Sequence, residues 1–297
     1  MPVIDIKDIS NESLAIYNQE LKRMRENKTN QVLLQLRDYK YKKPNLNFNE
    51  VVDFELETII IDNVENYYFK KKDNNDTVVL MLHGGGYVLP VSQNNIRGAM
   101  LYSKYINDCD VLLPDYKVAG IGSHIEALNN AYNSYMYLKD KYKNIILAGQ
   151  SAGGNLALGL MEYLNEKNIE LPKCVILASP WTDYKCEGES YRFNMHNDIL
   201  FGSKSGDILP DPYNKIHNKY MFPLKFNMDN YPPVMINVAK TEMLLSDSTS
   251  LYDKLDKDKS ELYLYPYMWH DFYTHDDKLK ECNDCWNRIS RFVKKII

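Results

Sequence analysis

The densest grouping of reactive residues in the chain is Gly149-Gln150-Ser151-Ala152-Gly153-Gly154. An apolar, β-rich run (Asn144–Ala148) precedes it and a helical stretch (Gly153–Leu164) follows. A serine hydroxyl between strand and helix sits on a turn so tight that only small neighbours fit, and the turn pushes Oγ away from the backbone. The helix N-terminus beneath favours negative charge. This context points to Ser151 as a nucleophile toward an acyl carbon, where a bare glycine-rich turn would have no such flanks. His83-Gly84-Gly85-Gly86-Tyr87 follows the apolar run Thr77–Leu82, and His83 stands 68 residues before Ser151. Three glycines let main-chain amides approach a substrate without obstruction. The amides of Gly85, Gly86 and Ala152 are the expected oxyanion hole, and Tyr87 is expected to touch substrate. A phosphate-binding loop would carry a lysine that this one lacks. His83 leads the loop and is expected to be structural.

Serine requires a base, and the base an orienting acid. Four histidines lie downstream: His196, His217, His270 and His275. His270 stands just past the β-rich run Leu262–Tyr267, and a rigid strand end positions a base best. It is preferred to His275. The acid should follow the preceding run, Pro233–Ala239, where Glu242 and Asp247 are the candidates. Glu242 is nearer the strand end, and 28 residues separate it from His270, room for one helix and one strand. Asp247 remains the alternative, and Glu242 could instead serve only to favour a helix N-terminus through its charge.

HGGGY at 83–87 and GQSAGGN at 149–155, with their spacing, resemble the hormone-sensitive-lipase-like esterase family. Asp115-Tyr116-Lys117-Val118-Ala119 is similar to its D-Y-R-L-A stretch, and Ser179-Pro180-Trp181-Thr182-Asp183 matches the segment expected after the next strand. The family pattern A-x-x-D-x-L puts its acid at Glu242, and Trp269-His270-Asp271-Phe272 resembles its H-G-F, with Asp271 in place of glycine. Gln150 is a second departure, since Asp or Thr commonly precedes the serine, and its side chain is expected to brace loops. The resemblance implies an α/β-hydrolase that cleaves esters of small to medium acyl chains through an acyl-enzyme, without metal or organic cofactor. A homodimer is an expectation at the level of the family. The same residues would serve an amidase or deacylase. A small-molecule receptor on this fold and a lyase or transferase are rivals of other classes.

These residues need elements to hold them. Further β-rich runs at Val111–Pro114 and Cys174–Ala178 alternate with helical stretches such as Ser123–Leu138, which implies a mostly parallel sheet with helices on both faces. Glu57–Asp62 and Tyr67–Lys71 read as an antiparallel pair ahead of it. Ser10 caps a predicted helix with Leu14, Tyr17, Leu21 and Met24 on its apolar face, and a short helix covers Gln31–Asp38. Residues 185–231 are too long for an unstructured loop. With residues 1–50 they are expected to form a helical cap over a core of residues 51–184 and 232–297.

Composition sets outer bounds. Hydrophobic residues make up 44% and charged residues 26% of the 297 positions, the balance of a globular enzyme. A net charge of −4 speaks against a nucleic-acid partner. Short lysine groups (Lys70–Lys72; Lys139, Lys141 and Lys143) read as solvated turns. No apolar run suits a signal peptide or membrane span, so the expected address is the cytoplasm. Of the five cysteines, Cys282 and Cys285 have metal-ligand spacing, yet Cys282 shares helical periodicity with Leu279, Trp286, Ile289 and Phe292 and reads as core.

Overall fold

A computed structural model describes residues 3–27, 30–71, 75–204, 206 and 209–297. Lys72, one of the lysines grouped at 70–72, lies outside the described residues. Among the described residues nine strands form one sheet in the order β1-β9-β8-β7-β6-β4-β5-β3-β2. Strands β4 (Thr77–Leu82), β5 (Asp110–Pro114), β6 (Asn144–Gln150), β7 (Cys174–Ala178), β8 (Val234–Ala239) and β9 (Glu261–Tyr265) are parallel. β2 (Glu55–Ile61) and β3 (Val64–Lys70) add the expected antiparallel pair. Pairing between β1 (Ile4–Asp5) and β9 extends the far edge. That strand, inside the first fifty residues assigned to a cap, is a correction: the chain enters through the sheet before it turns into helices.

Every residue of β4, β5, β7 and β8 is buried, as expected of strands covered on both faces. Side chains alternate between two cores. Val78, Leu80 and Leu82 face one with α4 (His124–Lys139), α5 (Ala152–Glu166) and α7 (Leu245–Lys254). Val79 and Met81 face the other with α3 (Gln93–Tyr105) and α8 (Lys280–Lys294). Ser123 caps α4 in a reciprocal box with Glu126. Cys282, Cys285, Trp286 and Ile289 are buried on α8, and the Cys282 thiol donates to the carbonyl of Phe272 (3.3 Å). β9 stops at Tyr265, two residues short of expectation, because Pro266 has no N–H to continue the ladder.

α1 (Asn11–Glu26) and α2 (Gln31–Asp38) pack on the segment that follows β7, which contains the short helix α6 (Glu189–Phe193). Tyr17 Oη donates to the carbonyl of Asn197 (2.9 Å), and Asn30 Nδ2 donates to those of Leu200 and Gly202. Ser10 and Ser13 bind Glu281, tying the start of α1 to α8.

β4 is the strand at which the chain reverses its direction across the sheet. From β4 the chain passes through α3 to β5 on one side, then crosses through α4 to β6 on the other. A crevice opens at the carboxyl ends of strands at such a switch point. The 68 residues between His83 and Ser151 thereby collapse into adjacent strands, with Leu82 paired to Gly149.

Candidate active site

Ser151 occupies the turn between β6 and α5 with φ 52° and ψ −118°, a conformation strained for any side chain. The turn is locked from both sides. Ser151 N donates to the carbonyl of Ala178 (2.9 Å), and the Ser151 carbonyl accepts from Trp181 N (3.0 Å) and Gly154 N (2.9 Å). A Cβ on Gly153 would overlap the carbonyl oxygens of Leu82 and His83. Only glycine there lets α5 begin against the end of β4.

The HGGG loop leaves β4 beside this turn. Gly85 and Gly86 both have positive φ, 114° and 61°. Among the described residues, no main-chain hydrogen bond occupies the amide of Gly85, Gly86 or Ala152. Gly84, Gly85 and Gly86 border a cavity of about 410 Å³ that Ser151 and His270 also line. Ser151 and His270 are each only 6% exposed.

Past β9, His270 Nδ1 donates to Oε2 of Glu242 at 2.7 Å, inside the protein. Glu242 follows β8, the neighbour of β9. Its Oε1 accepts from Ser179 Oγ (2.8 Å) and Ala239 N (2.7 Å), so every polar contact of the carboxylate points one oxygen at the imidazole. Nε2 of His270, the opposite nitrogen, has no hydrogen-bond partner among the described residues. Burial pulls the imidazole pKa down, but Asp271, Glu242 and Asp198 together outweigh it and push the ring up to about 9.

Asp247, the alternative acid, does different work. It lies in the first turn of α7, where Oδ1 accepts from Thr182 N and Asp183 N, both at 2.7 Å. It pins the strand-end segment that carries Trp181, and burial pushes its carboxyl up to about 8. His275 lines the cavity with its ring against Thr274. His217 pairs with Asp211 (2.9 Å).

Tyr87 corrects an expectation. Its ring is fully buried, its hydroxyl donates to Asn155 Oδ1 (2.7 Å) and meets His124 Nε2 (3.2 Å), and it is not a wall of the cavity. Positive φ at Tyr87 (60°) turns the ring inward, a reversal that spacing alone does not reveal. His83 is buried and stacks on Tyr116 with ring centroids 4.1 Å apart. Three residues escaped the sequence reading. Asp198 is buried, caps Leu200, Phe201 and Met243 amides, and adds negative potential at His270. Phe201 packs on the His270 ring at 4.7 Å. Ser179, quoted only as part of a matching segment, holds Glu242. None of the three has a local sequence signal for that role.

Residues 79–274 match the family model of the α/β-hydrolase fold. The chain belongs to the α/β-hydrolase family. Among its relatives are an esterase of Acinetobacter venetianus, 29% identical over 230 residues that span 72% of this chain and 73% of that one. Esterase LipU of Mycobacterium tuberculosis is 27% identical over 72% of this chain and 76% of its own length. An acetyl-hydrolase of Streptomyces hygroscopicus is 25% identical over 67% and 69%. In architecture this α/β-hydrolase resembles an esterase of the bacterial hormone-sensitive lipase family, with a TM-score of 0.79, 22% identity and coverage of 98% and 100%. No helix among the described residues is long and apolar enough to cross a membrane.

Proposed function

We propose that the protein hydrolyses carboxylic esters of small to medium acyl chains, with Ser151 as nucleophile, His270 as general base and Glu242 as the acid that orients it. The observation that carries this reading is the 2.7 Å bond from His270 Nδ1 to Glu242, which leaves Nε2 open beside a cavity that Ser151 shares. Relatives named esterases and acetyl-hydrolases support the same chemistry.

The reaction runs in two halves. Nε2 takes the Ser151 proton as Oγ attacks the acyl carbon. The carbonyl oxygen becomes an anion and meets the amides of Gly85, Gly86 and Ala152, and each such donor is worth about 3 kcal/mol of barrier. His270 then gives its proton to the leaving alcohol, which leaves an acyl-Ser151. Water, deprotonated by the same nitrogen, releases the acid and restores the hydroxyl. Glu242 holds the ring in the tautomer that keeps Nε2 free and stabilises its charged form. α1, α2 and residues 185–231 act as a cap over the cavity: Val32, Leu36, Leu200, Phe201 and Leu209 give it an apolar wall suited to an acyl chain. A cytoplasmic, soluble enzyme acting on a small molecule is the reading consistent with its sequence.

Hydrolysis of p-nitrophenyl acetate and butyrate tests the proposal. Turnover by the wild type and its loss in Ser151→Ala is the expected result. Tight binding of such esters without turnover would instead identify a receptor.

A further inference from the structure

One charged side chain in the cavity has no part in the steps above. Asp271 adopts φ 55°, the left-handed region where glycine is at ease and a branched side chain is not. Its side chain is only 19% exposed. Oδ1 is sealed from solvent with no hydrogen-bond partner among the described residues. The other oxygen, Oδ2, lies 3.5 Å from Nε2 of His270. A Cβ placed on Gly84 would sit 3.4 Å from that Oδ2 and 3.3 Å from Cβ of Ser151. The carboxyl therefore lies beside the outer nitrogen of the imidazole, at the glycine loop that borders the serine turn. It occupies the space that a glycine at 271 would leave empty.

Strain, burial and a missing partner each disfavour this side chain in the folded protein, and buried polar groups ordinarily have partners. Oδ1 is sealed, so a donor that enters the cavity meets the carboxyl at Oδ2, beside His270. Besides apolar residues from α2 and the segment after β7, the cavity is lined by the polar side chains of Ser92, Asn95, Gln150, Thr274 and His275, so its lining offers partners to both an acyl chain and a polar alcohol.

We propose that Asp271 forms a subsite for a hydroxyl group on the leaving alcohol, so that the enzyme favours monoesters of diols and polyols over esters of plain alkanols of equal size. This rests on the reading that Ser151 and His270 cleave an ester. Nε2 hands its proton to the leaving oxygen, so whatever reaches Oδ2 of Asp271 is attached within a few bonds of that oxygen. A hydroxyl two carbons away meets this condition. It donates to Oδ2, and further hydroxyls on a polyol both donate to and accept from the neutral side chains beside it. An alkyl group at the same place offers Oδ2 no donor.

The test compares kcat/KM at pH 8 for 2-hydroxyethyl acetate, propyl acetate and acetylcholine, each divided by its alkaline hydrolysis rate. Wild-type protein should prefer the hydroxyethyl over the propyl ester at least tenfold. That ratio should fall toward one in Asp271→Gly, which relieves the backbone and removes the acceptor, and by less in Asp271→Asn, whose oxygen can still accept. A wild-type ratio near one, a ratio unchanged in Asp271→Gly, or a preference for acetylcholine would overturn the subsite. Fluorophosphonate labelling of Ser151 in the same preparations separates the two failures: labelled protein with a flat ratio rejects only the subsite, and unlabelled, inactive protein rejects the esterase reading with it.

Discussion

At the level of single residues, the site is an electrostatic balance around one imidazole. His270 has Glu242 on Nδ1 at 2.7 Å and Asp271 beside Nε2 at 3.5 Å. Both carboxylates favour its charged form, and a charged ring cannot accept the serine proton. Since the ring is pushed up to about 9, kcat/KM should fall about tenfold per pH unit below that value. Asp271→Asn removes one of the negative charges, so the limb should move to lower pH. A pH profile of aryl ester hydrolysis reads this directly, and an unmoved limb would show that Asp271 does not act on the imidazole. Glu242→Gln keeps the shape but favours the wrong tautomer, and kcat should drop on the order of a thousandfold or more. Ser151→Ala should cost at least as much. The serine and histidine were legible in the sequence because their signals are local: a glycine-bracketed serine between strand and helix, and a histidine just past a strand. Asp198 and Phe201 were not, because they reach His270 from a segment whose path no local pattern fixes.

At the level of elements, the question of which acid follows β8 turns on where each carboxylate points. Glu242 precedes α7 and faces the end of β9, whereas Asp247 sits in the first turn of α7 and faces the segment after β7. Sequence separation gave both a place near the strand end. Only the start of α7, at Leu245, decides which side chain faces the histidine. Asp247→Ala should therefore destabilise the fold by about 2 kcal/mol, because two buried amides lose their acceptor. Asp247→Asn should cost much less, since its oxygen can still accept and burial already disfavours the charge. Denaturant midpoints check this, and a large loss of kcat in a stably folded Asp247→Asn would reassign the acid. The strands and long helices were readable from apolar runs and capping boxes such as Ser123/Glu126. β1 was not, because two residues carry no period, and its pairing partner lies more than 250 positions away in the chain.

At the level of the whole molecule, the switch in strand order at β4 brings the HGGG loop and the serine turn to one crevice, and β8 and β9 deliver Glu242 and His270 to the same edge. Val32 and Leu36 of α2 then line one part of the cavity. Leu36 on α2 reaches the space beside Gly86: a Cβ there would sit 3.5 Å from Leu36 Cδ2. Leu36→Ala should enlarge the apolar side and move the preferred acyl length upward, with KM affected more than kcat. A p-nitrophenyl series from acetate to octanoate measures this, and an unchanged length profile would remove α2 from the substrate wall. The length of residues 185–231 argued for a structured segment there, but that Leu200, Phe201 and Leu209 line the cavity depends on contacts between distant segments.

The most direct measurement is stoichiometric labelling with a fluorophosphonate, followed by intact mass and peptide mapping. One adduct per chain on Ser151, absent in Ser151→Ala and formed far more slowly in His270→Ala, is the expected result. An unmodified chain, or an adduct on any other residue, would contradict the assignment of Ser151 as the nucleophile.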